Sequence, residues 1–96
     1  MAVVVQTRTS LRDINRIWDY IADTSPQRAS KFVRRIKEKL ALLAENPMMG
    51  RARPELADDL RSFRIEKYVI FYRPVAEGII VVRIVHSRQD LEGMFD

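Results

Sequence analysis

The chain predicts an α+β fold: an N-terminal strand, an antiparallel helical hairpin, then a three-stranded antiparallel meander, with both helices on one face of the sheet. Three observations lead there. Leu11, Ile14, Ile17, Trp18 and Ile21, and then Ala29, Phe32, Val33, Ile36, Leu40 and Leu43, recur at helical spacing and give each segment one apolar stripe. Asp23, Thr24, Ser25 and Pro26 leave almost no linker between the segments, so the helices fold back on each other. From Arg61 onward the apolar period falls to two.

Taken in order, Val3, Val4 and Val5 are β-branched and predict a short strand ending near Gln6-Thr7. Ser10 is the expected cap of the first helix, with Asp13 three residues on, close to a capping box. Trp18 is expected in the core, and Tyr20, opposite the stripe, on the surface. Ser25-Pro26 opens the second helix, since a first-turn proline gives up no hydrogen bond, and Asn46-Pro47 stops it. Pro47, Gly50 and Pro54 mark residues 46–60 as a loop that Leu56 and Leu60 pin to the core. Phe63 and Ile65 then alternate with Ser62 and Arg64, and Glu66-Lys67 is a tight turn. Residues 68–73 form the next strand, which Pro74 ends. Glu77-Gly78 turns the chain into a last strand over residues 79–86, and the tail is polar apart from Leu91, Met94 and Phe95. The order of strands in the sheet stays open.

A length of 96 residues predicts a single domain over residues 1–96, with a thin margin of stability that a partner would improve. The absence of cysteine excludes a disulfide framework and a thiolate metal site and suits a reducing cytoplasm. No secretory signal and no run long enough to span a membrane is visible. Only three glycines occur, with no phosphate-binding loop and no metal-ligand pattern, so neither cofactor nor metal is expected. The formal charge of +4 favours an acidic partner, although nine Lys/Arg fall in residues 1–50 and eight in residues 51–96, a spread that solubility alone would explain.

Two candidate binding features follow from geometry. A two-residue turn at Glu66-Lys67 pairs Ile65 with Tyr68, Phe63 with Ile70 and Arg61 with Tyr72 on the helix side. Arg64, Val69, Phe71 and Arg73 then face outward. With Ile80, Val82 and Ile84 placed inward, Val81, Arg83 and Val85 join them. Two helices cover one face only, so this outer face of apolar and arginine side chains is either a protein-binding surface or a solvated sheet face. The second feature is a basic stripe of Arg28, Lys31, Arg35 and Lys39 on the second helix. Its like charges disfavour the helix by about 0.2–0.5 kcal/mol per pair, which an acidic partner would relieve. A solvated charged face is the plainer reading.

The order of motifs resembles the ParE branch of the ParE/RelE toxins over roughly residues 10–91. The pieces are Ile17-Trp18-Asp19-Tyr20-Ile21-Ala22, Ser25-Pro26 with Ala29, Pro47-Met48-Met49-Gly50-Arg51, Arg53-Pro54-Glu55-Leu56 and Leu60-Arg61-Ser62. Tyr68-Val69-Ile70-Phe71-Tyr72-Arg73, Ile84-Val85-His86-Ser87-Arg88 and Asp90-Leu91 complete it. The resemblance implies the toxin of a type II toxin–antitoxin pair, neutralised by a ParD-like antitoxin whose tail folds onto it, in a complex that can be of higher order. It implies that DNA gyrase is the target, poisoned by stabilising its cleaved-DNA complex. The RelE branch, of the same fold, cuts mRNA on the ribosome instead, and fold alone does not choose between the branches.

Cutting RNA through its 2′-hydroxyl needs a base, an acid and positive charge at the phosphate. A nuclease here would draw on His86, Arg61 and Arg83, with Tyr68, Tyr72, Arg73 and Arg88 as further candidates. Residues 87–96 hold no tyrosine, and no carboxylate is placed beside His86, so a structural His86, bonded to backbone or to Asp90, is the expectation. Arg88 and Asp90 are expected as a local ion pair. Arg51 and Arg53 could touch DNA or gyrase, with solvated loop charges the plainer reading. For a binding toxin the expected contacts to antitoxin or target are Arg64, Phe71, Arg73, Arg83, Arg28, Lys31, Arg35 and Arg88.

Overall fold

The computed structural model describes residues 1–91 and 93–95. Its elements are β1 (Val3–Gln6), α1 (Arg8–Ala22), α2 (Pro26–Glu45), a 3-10 turn (Pro47–Met49), β2 (Arg51–Ala52), β3 (Arg61–Ile65), β4 (Tyr68–Val75) and β5 (Gly78–His86). The strands form one sheet in the order β1-β5-β4-β3-β2. β1 runs parallel to β5, and every other pairing is antiparallel. Both helices pack on one face, so the α+β class stands as predicted. The parallel pairing needs a long crossover, which the helical hairpin and the meander supply. The two-residue β2 is an addition that no period-two pattern announces.

The helical hairpin forms as its sequence dictates. Ser25 Oγ accepts from the Arg28 N–H at 3.2 Å, and Pro26 occupies the first turn. Asn46 closes α2, its side-chain amide donating to the Leu42 carbonyl at 3.0 Å. α1 departs from expectation at its start. Thr7, not Ser10, is the cap: Thr7 Oγ1 accepts from the Ser10 N–H at 3.1 Å, and Ser10 is buried, its hydroxyl donating to the Thr7 carbonyl at 2.9 Å. Leu11, placed on the apolar stripe, is 48% exposed. Trp18 is half-buried rather than core, its Nε1–H donating to Ser30 Oγ at 3.3 Å across the hairpin. Tyr20 is 76% exposed, as expected.

The β3–β4 hairpin has the predicted register, with Ile65 opposite Tyr68 and Arg61 opposite Tyr72. Glu66 adopts a φ of 52°, a left-handed conformation that costs roughly 1–2 kcal/mol for a residue with a Cβ. Three contacts hold it. Arg64 Nε donates to the Glu66 carbonyl at 2.8 Å, the Ser87 N–H donates to the Lys67 carbonyl at 2.7 Å, and Arg35 pairs with the Glu66 carboxylate. β4 continues past Pro74 to Val75. Pro74 lies beyond the last β3 partner, Arg61, and opposite Ile79, next to the hairpin-closing pair Val75–Gly78. At that non-hydrogen-bonded position no neighbouring strand needs its N–H. Gly78 is required where β1 crosses: a Cβ there would lie 1.9 Å from the Val3 carbonyl oxygen.

β5 corrects the predicted phase. The register to β4 slips at Phe71/Tyr72, so that Phe71 faces Arg83 and Tyr72 faces Val81, and Val82 is the extra residue of a bulge. Ile79 and Val81 therefore face the helices in place of Ile80 and Val82, whereas Ile84 and Val85 keep their predicted sides. A bulge reverses alternation, and an unbroken β-branched run carries no marker of where it does so.

The outer face corrects the larger expectation. It is covered by the chain itself. Leu60, Phe71 and Val85 form a second buried cluster, packed under Leu56 and Ala57 from the loop and Leu91, Met94 and Phe95 from the tail. Phe71, expected as an exposed contact, is 0% exposed. The Phe95 ring lies 4.9 Å from it, and the Arg53 guanidinium 5.7 Å. At the margin of this face Val3, Val5 and Val75 are exposed.

Candidate functional site

The opening in the molecule lies on the helix side. The end of α1, the start of α2, the Glu66-Lys67 turn and the end of β5 surround two clefts of about 420 and 680 Å³. Both are lined by Tyr20, Lys67 and Tyr68, so they run together as one groove. Tyr68 is the first residue of β4 and faces the helices. Its ring packs 5.6 Å from Phe32 and meets the His86 ring edge-on at 5.4 Å. Burial, then the neighbouring Tyr20, holds the Tyr68 phenol above its ordinary pKa. Tyr68 is thus a neutral, aromatic floor at physiological pH.

The walls are basic. Arg28, Lys31 and Arg35 of the predicted stripe line the larger cleft, whereas Lys39 stands apart, 5.3 Å from the Phe63 ring. Arg16 and Lys67 were not anticipated. Arg16 lies four residues before Tyr20, on the same side of α1, and that spacing was the available signal; Lys67 becomes a wall residue only once the hairpin turn folds against α2. Arg35 is held by Glu66. At about half exposure, such a pair contributes at most about 1 kcal/mol.

Asp13 closes one end of the groove and anchors α1. β1 leaves the sheet at the bulge, where the Thr7 N–H donates to the Val81 carbonyl and Thr7 Oγ1 to the Val82 carbonyl. α1 then follows the free edge of β5. There Asp13 accepts from the Ile84 N–H at 2.9 Å, doing the work of a missing strand, and takes Arg83 Nε at 2.9 Å and Nη2 at 3.1 Å. Hydrogen bonding to Asp13 outweighs burial and raises the Arg83 pKa. Arg83, expected free on the outer face, is committed to this tie.

The remaining candidates scatter. Arg64 is exposed at the hairpin end, and Arg73 is half-buried, its Nε donating to the Asp58 carbonyl at 3.3 Å. Arg61 donates to the Gly50 carbonyl at 2.6 Å and the Met48 carbonyl at 3.3 Å. Tyr72 holds the same loop, accepting from the Gly50 N–H at 2.8 Å and donating to the Pro47 carbonyl at 2.7 Å. Burial is the main reason its phenol lies above the ordinary pKa. Arg53 donates to Glu55 and Ser62, and Arg51 is exposed on β2. His86 accepts at Nδ1 from the exposed Arg88's N–H at 3.1 Å, the backbone bond expected of a structural histidine. His86 stands opposite Tyr68 and Arg61 opposite Tyr72, four positions apart on β4, or about 13 Å. Among the described residues, no three His, Asp or Glu side chains converge as metal ligands do, and no helix is long and apolar enough to cross a membrane.

The molecule is thus a small α+β domain, two helices on one face of a five-stranded sheet with a basic, aromatic groove beside them. Residues 4–91 match the family described as ParE toxin of type II toxin–antitoxin system, parDE. Toxin ParE1 of Mycobacterium tuberculosis is 32% identical over 81 residues, 82% of this chain and 83% of that protein. Toxin RelE2 of Caulobacter vibrioides is 39% identical over 88 residues, 91% of this chain and 97% of that one. A solved structure titled Chromosomal ParDE TA system from P. aeruginosa superposes with a TM-score of 0.74 at 26% identity, covering 90% of this chain and 96% of that chain. The chain belongs to the ParE toxin family of type II toxin–antitoxin systems.

Proposed function

We propose that this toxin acts in the cytoplasm by binding rather than by chemistry of its own: it poisons DNA gyrase by stabilising the cleaved-DNA complex, and a cognate ParD-like antitoxin neutralises it. One observation carries the non-enzymatic part. The residues a ribonuclease would need are held apart: Arg83 binds Asp13, Arg61 binds two loop carbonyls, and His86, whose Nδ1 accepts from the Arg88 N–H, lies two strands from Arg61 and about 13 Å further along them. A cleavage site needs base, acid and cation within hydrogen-bond reach of one phosphate. Family membership and the ParDE title of the structural neighbour support the antitoxin partner.

The RelE name of one relative motivates a second reading, a ribosome-dependent mRNA endonuclease. Purified protein is to be assayed with gyrase, ATP and relaxed plasmid, and in parallel with ribosomes carrying mRNA. Blocked supercoiling with trapped linear DNA is the expected result. Cut mRNA with gyrase unaffected would reverse the assignment. His86→Gln is expected to keep toxicity in growing cells, and its loss in a stably folded variant would point to the nuclease.

A further inference from the structure

The solvent side of α1 carries charge that its own helix opposes. Ser10, Asp13, Ile14 and Ile17 are buried against the sheet, and Arg8, Arg12 and Arg16 follow one another at intervals of four along the exposed side. Like charges at that spacing disfavour a helix. Arg8 is also the first residue of α1, where the helix dipole repels a cation, and the first turn holds no acid to offset it. Neither Arg8 nor Arg12 has a carboxylate three or four places away. Arg16 has two, but Asp13 is held by Arg83, and Asp19 forms no ion pair with it. A helix surface that served solubility alone would interleave the two signs. Arg8 and Arg12 lie outside the groove, which Arg16 borders.

We propose that this arginine stripe is a second contact surface, separate from the groove, and that it lies along the phosphate backbone of duplex DNA. The choice of DNA over RNA rests on the gyrase reading, and the choice of a duplex backbone rests on the stripe. All three cations are arginine, whose planar fork pairs with two phosphate oxygens at once. Arg8 and Arg16 stand roughly 12 Å apart along the helix axis, the axial rise of about three phosphate steps on one DNA strand. The polyanion relieves the repulsion within the stripe and the opposition of the dipole together. Thr9, Leu11 and Asn15 beside the stripe offer no ring on which an unstacked base could lie, the usual device for holding a single strand. Between Arg8 and Arg16, Leu11 is the one exposed large apolar side chain, too little to make the packed anchor cluster of a protein interface. Backbone contacts of this kind carry no sequence preference. A toxin that grips the DNA as well as the enzyme holds the cleaved complex through two linked contacts, each raising the effective concentration of the other.

Anisotropy titrations of the purified protein against a short fluorescein-labelled DNA duplex, repeated over a range of salt concentrations, test this. Three phosphate contacts predict a slope of about −2.7 for the logarithm of the association constant against that of salt. Arg8→Gln and Arg12→Gln should each bring the slope to about −1.8 and weaken binding at low salt, equally for duplexes of unrelated sequence. Lys37→Gln, the same change of charge on exposed α2, should leave the slope as it is. Melting temperatures of the two arginine variants should hold or rise, since each loses a cation its helix opposes. A single strand, an RNA duplex and a poly-glutamate peptide of equal length are the competing probes, and each should bind less tightly than the DNA duplex. No duplex binding at low salt, a slope that ignores Arg8 and Arg12, an equal loss in Lys37→Gln, a competing probe that binds as well as the duplex, or arginine variants that melt several degrees lower would each overturn the proposal. The titration contains no gyrase, so the two proposals fail separately. Inhibited supercoiling without duplex binding sinks the stripe alone, and duplex binding without inhibition sinks the gyrase reading alone.

Discussion

The two faces of the sheet are closed by different means, and only one of them keeps a groove among the described residues. Beneath α1 and α2, a regular helical layer buries Ile70, Tyr72, Ile79, Val81 and Ile84. Over the other face lies no helix among the described residues. A loop and the tail supply Leu56, Ala57, Leu91, Met94 and Phe95, enough to bury Phe71 completely. The regular layer is the one with the gap, a groove between the helix ends and the Glu66-Lys67 turn. The irregular cover follows the sheet and leaves only a margin. In a small domain, irregular chain can finish a core that secondary structure leaves open.

Substitutions break this contrast at graded depths. Phe71→Ala should cost about 3–5 kcal/mol in urea unfolding, the usual range for emptying a buried ring site; a loss under about 1 kcal/mol would mean that the loop and tail do not close over it. Asp13→Ala should cost about 3 kcal/mol, since it leaves the Arg83 guanidinium and the Ile84 N–H without their acceptor. Arg83→Leu added to it should recover part of that loss, and strict additivity of the two would show they are not coupled.

Tyr72→Phe should cost about 1–3 kcal/mol by freeing the Gly50 N–H and the Pro47 carbonyl. It also has a pH signature. The folded phenol is raised, so its contribution is complete below the unfolded phenol pKa near pH ~10 and fades as pH climbs through the folded value. The variant should lack that alkaline decline, and an unchanged slope would remove Tyr72 as its source. Smallest of all, Arg64→Glu at the exposed hairpin end should shift stability by no more than about 0.5 kcal/mol. A larger shift would mean that its bond to the Glu66 carbonyl holds the turn.

Much of the layout was legible because it is local. Ser25-Pro26, the apolar arc of α2 and the β3–β4 register each depend on residues a few positions apart, and each formed as read. Most of the failures are long-range. Asp13 looked like a capping residue, and its partners lie 70 and 71 positions away. Thr7 displaced Ser10 because β1 hands over to α1 without a linker. The bulge at Val82 left no trace in a run of β-branched residues, and the pairing with Asp13, not the bulge, draws Arg83 to the sheet edge. Leu56, Met94 and Phe95 were visible as apolar residues, yet nothing local says which face they cover. Of the candidate residues, Arg28, Lys31 and Arg35 line one groove because helix phase is set by neighbours. Phe71 and Arg83 are not free on the outer face, because tail position and long-range pairing are not set by neighbours.

Amide hydrogen exchange, compared between the free protein and its complex with the antitoxin, tests the central claim most directly. New protection should gather at the end of α1, the first turns of α2 and the Glu66-Lys67 turn, with amides around Phe71 slow in both states. Protection appearing instead along β1 and over Phe71, with the groove segments unchanged, would return the binding surface to the outer face and contradict this account.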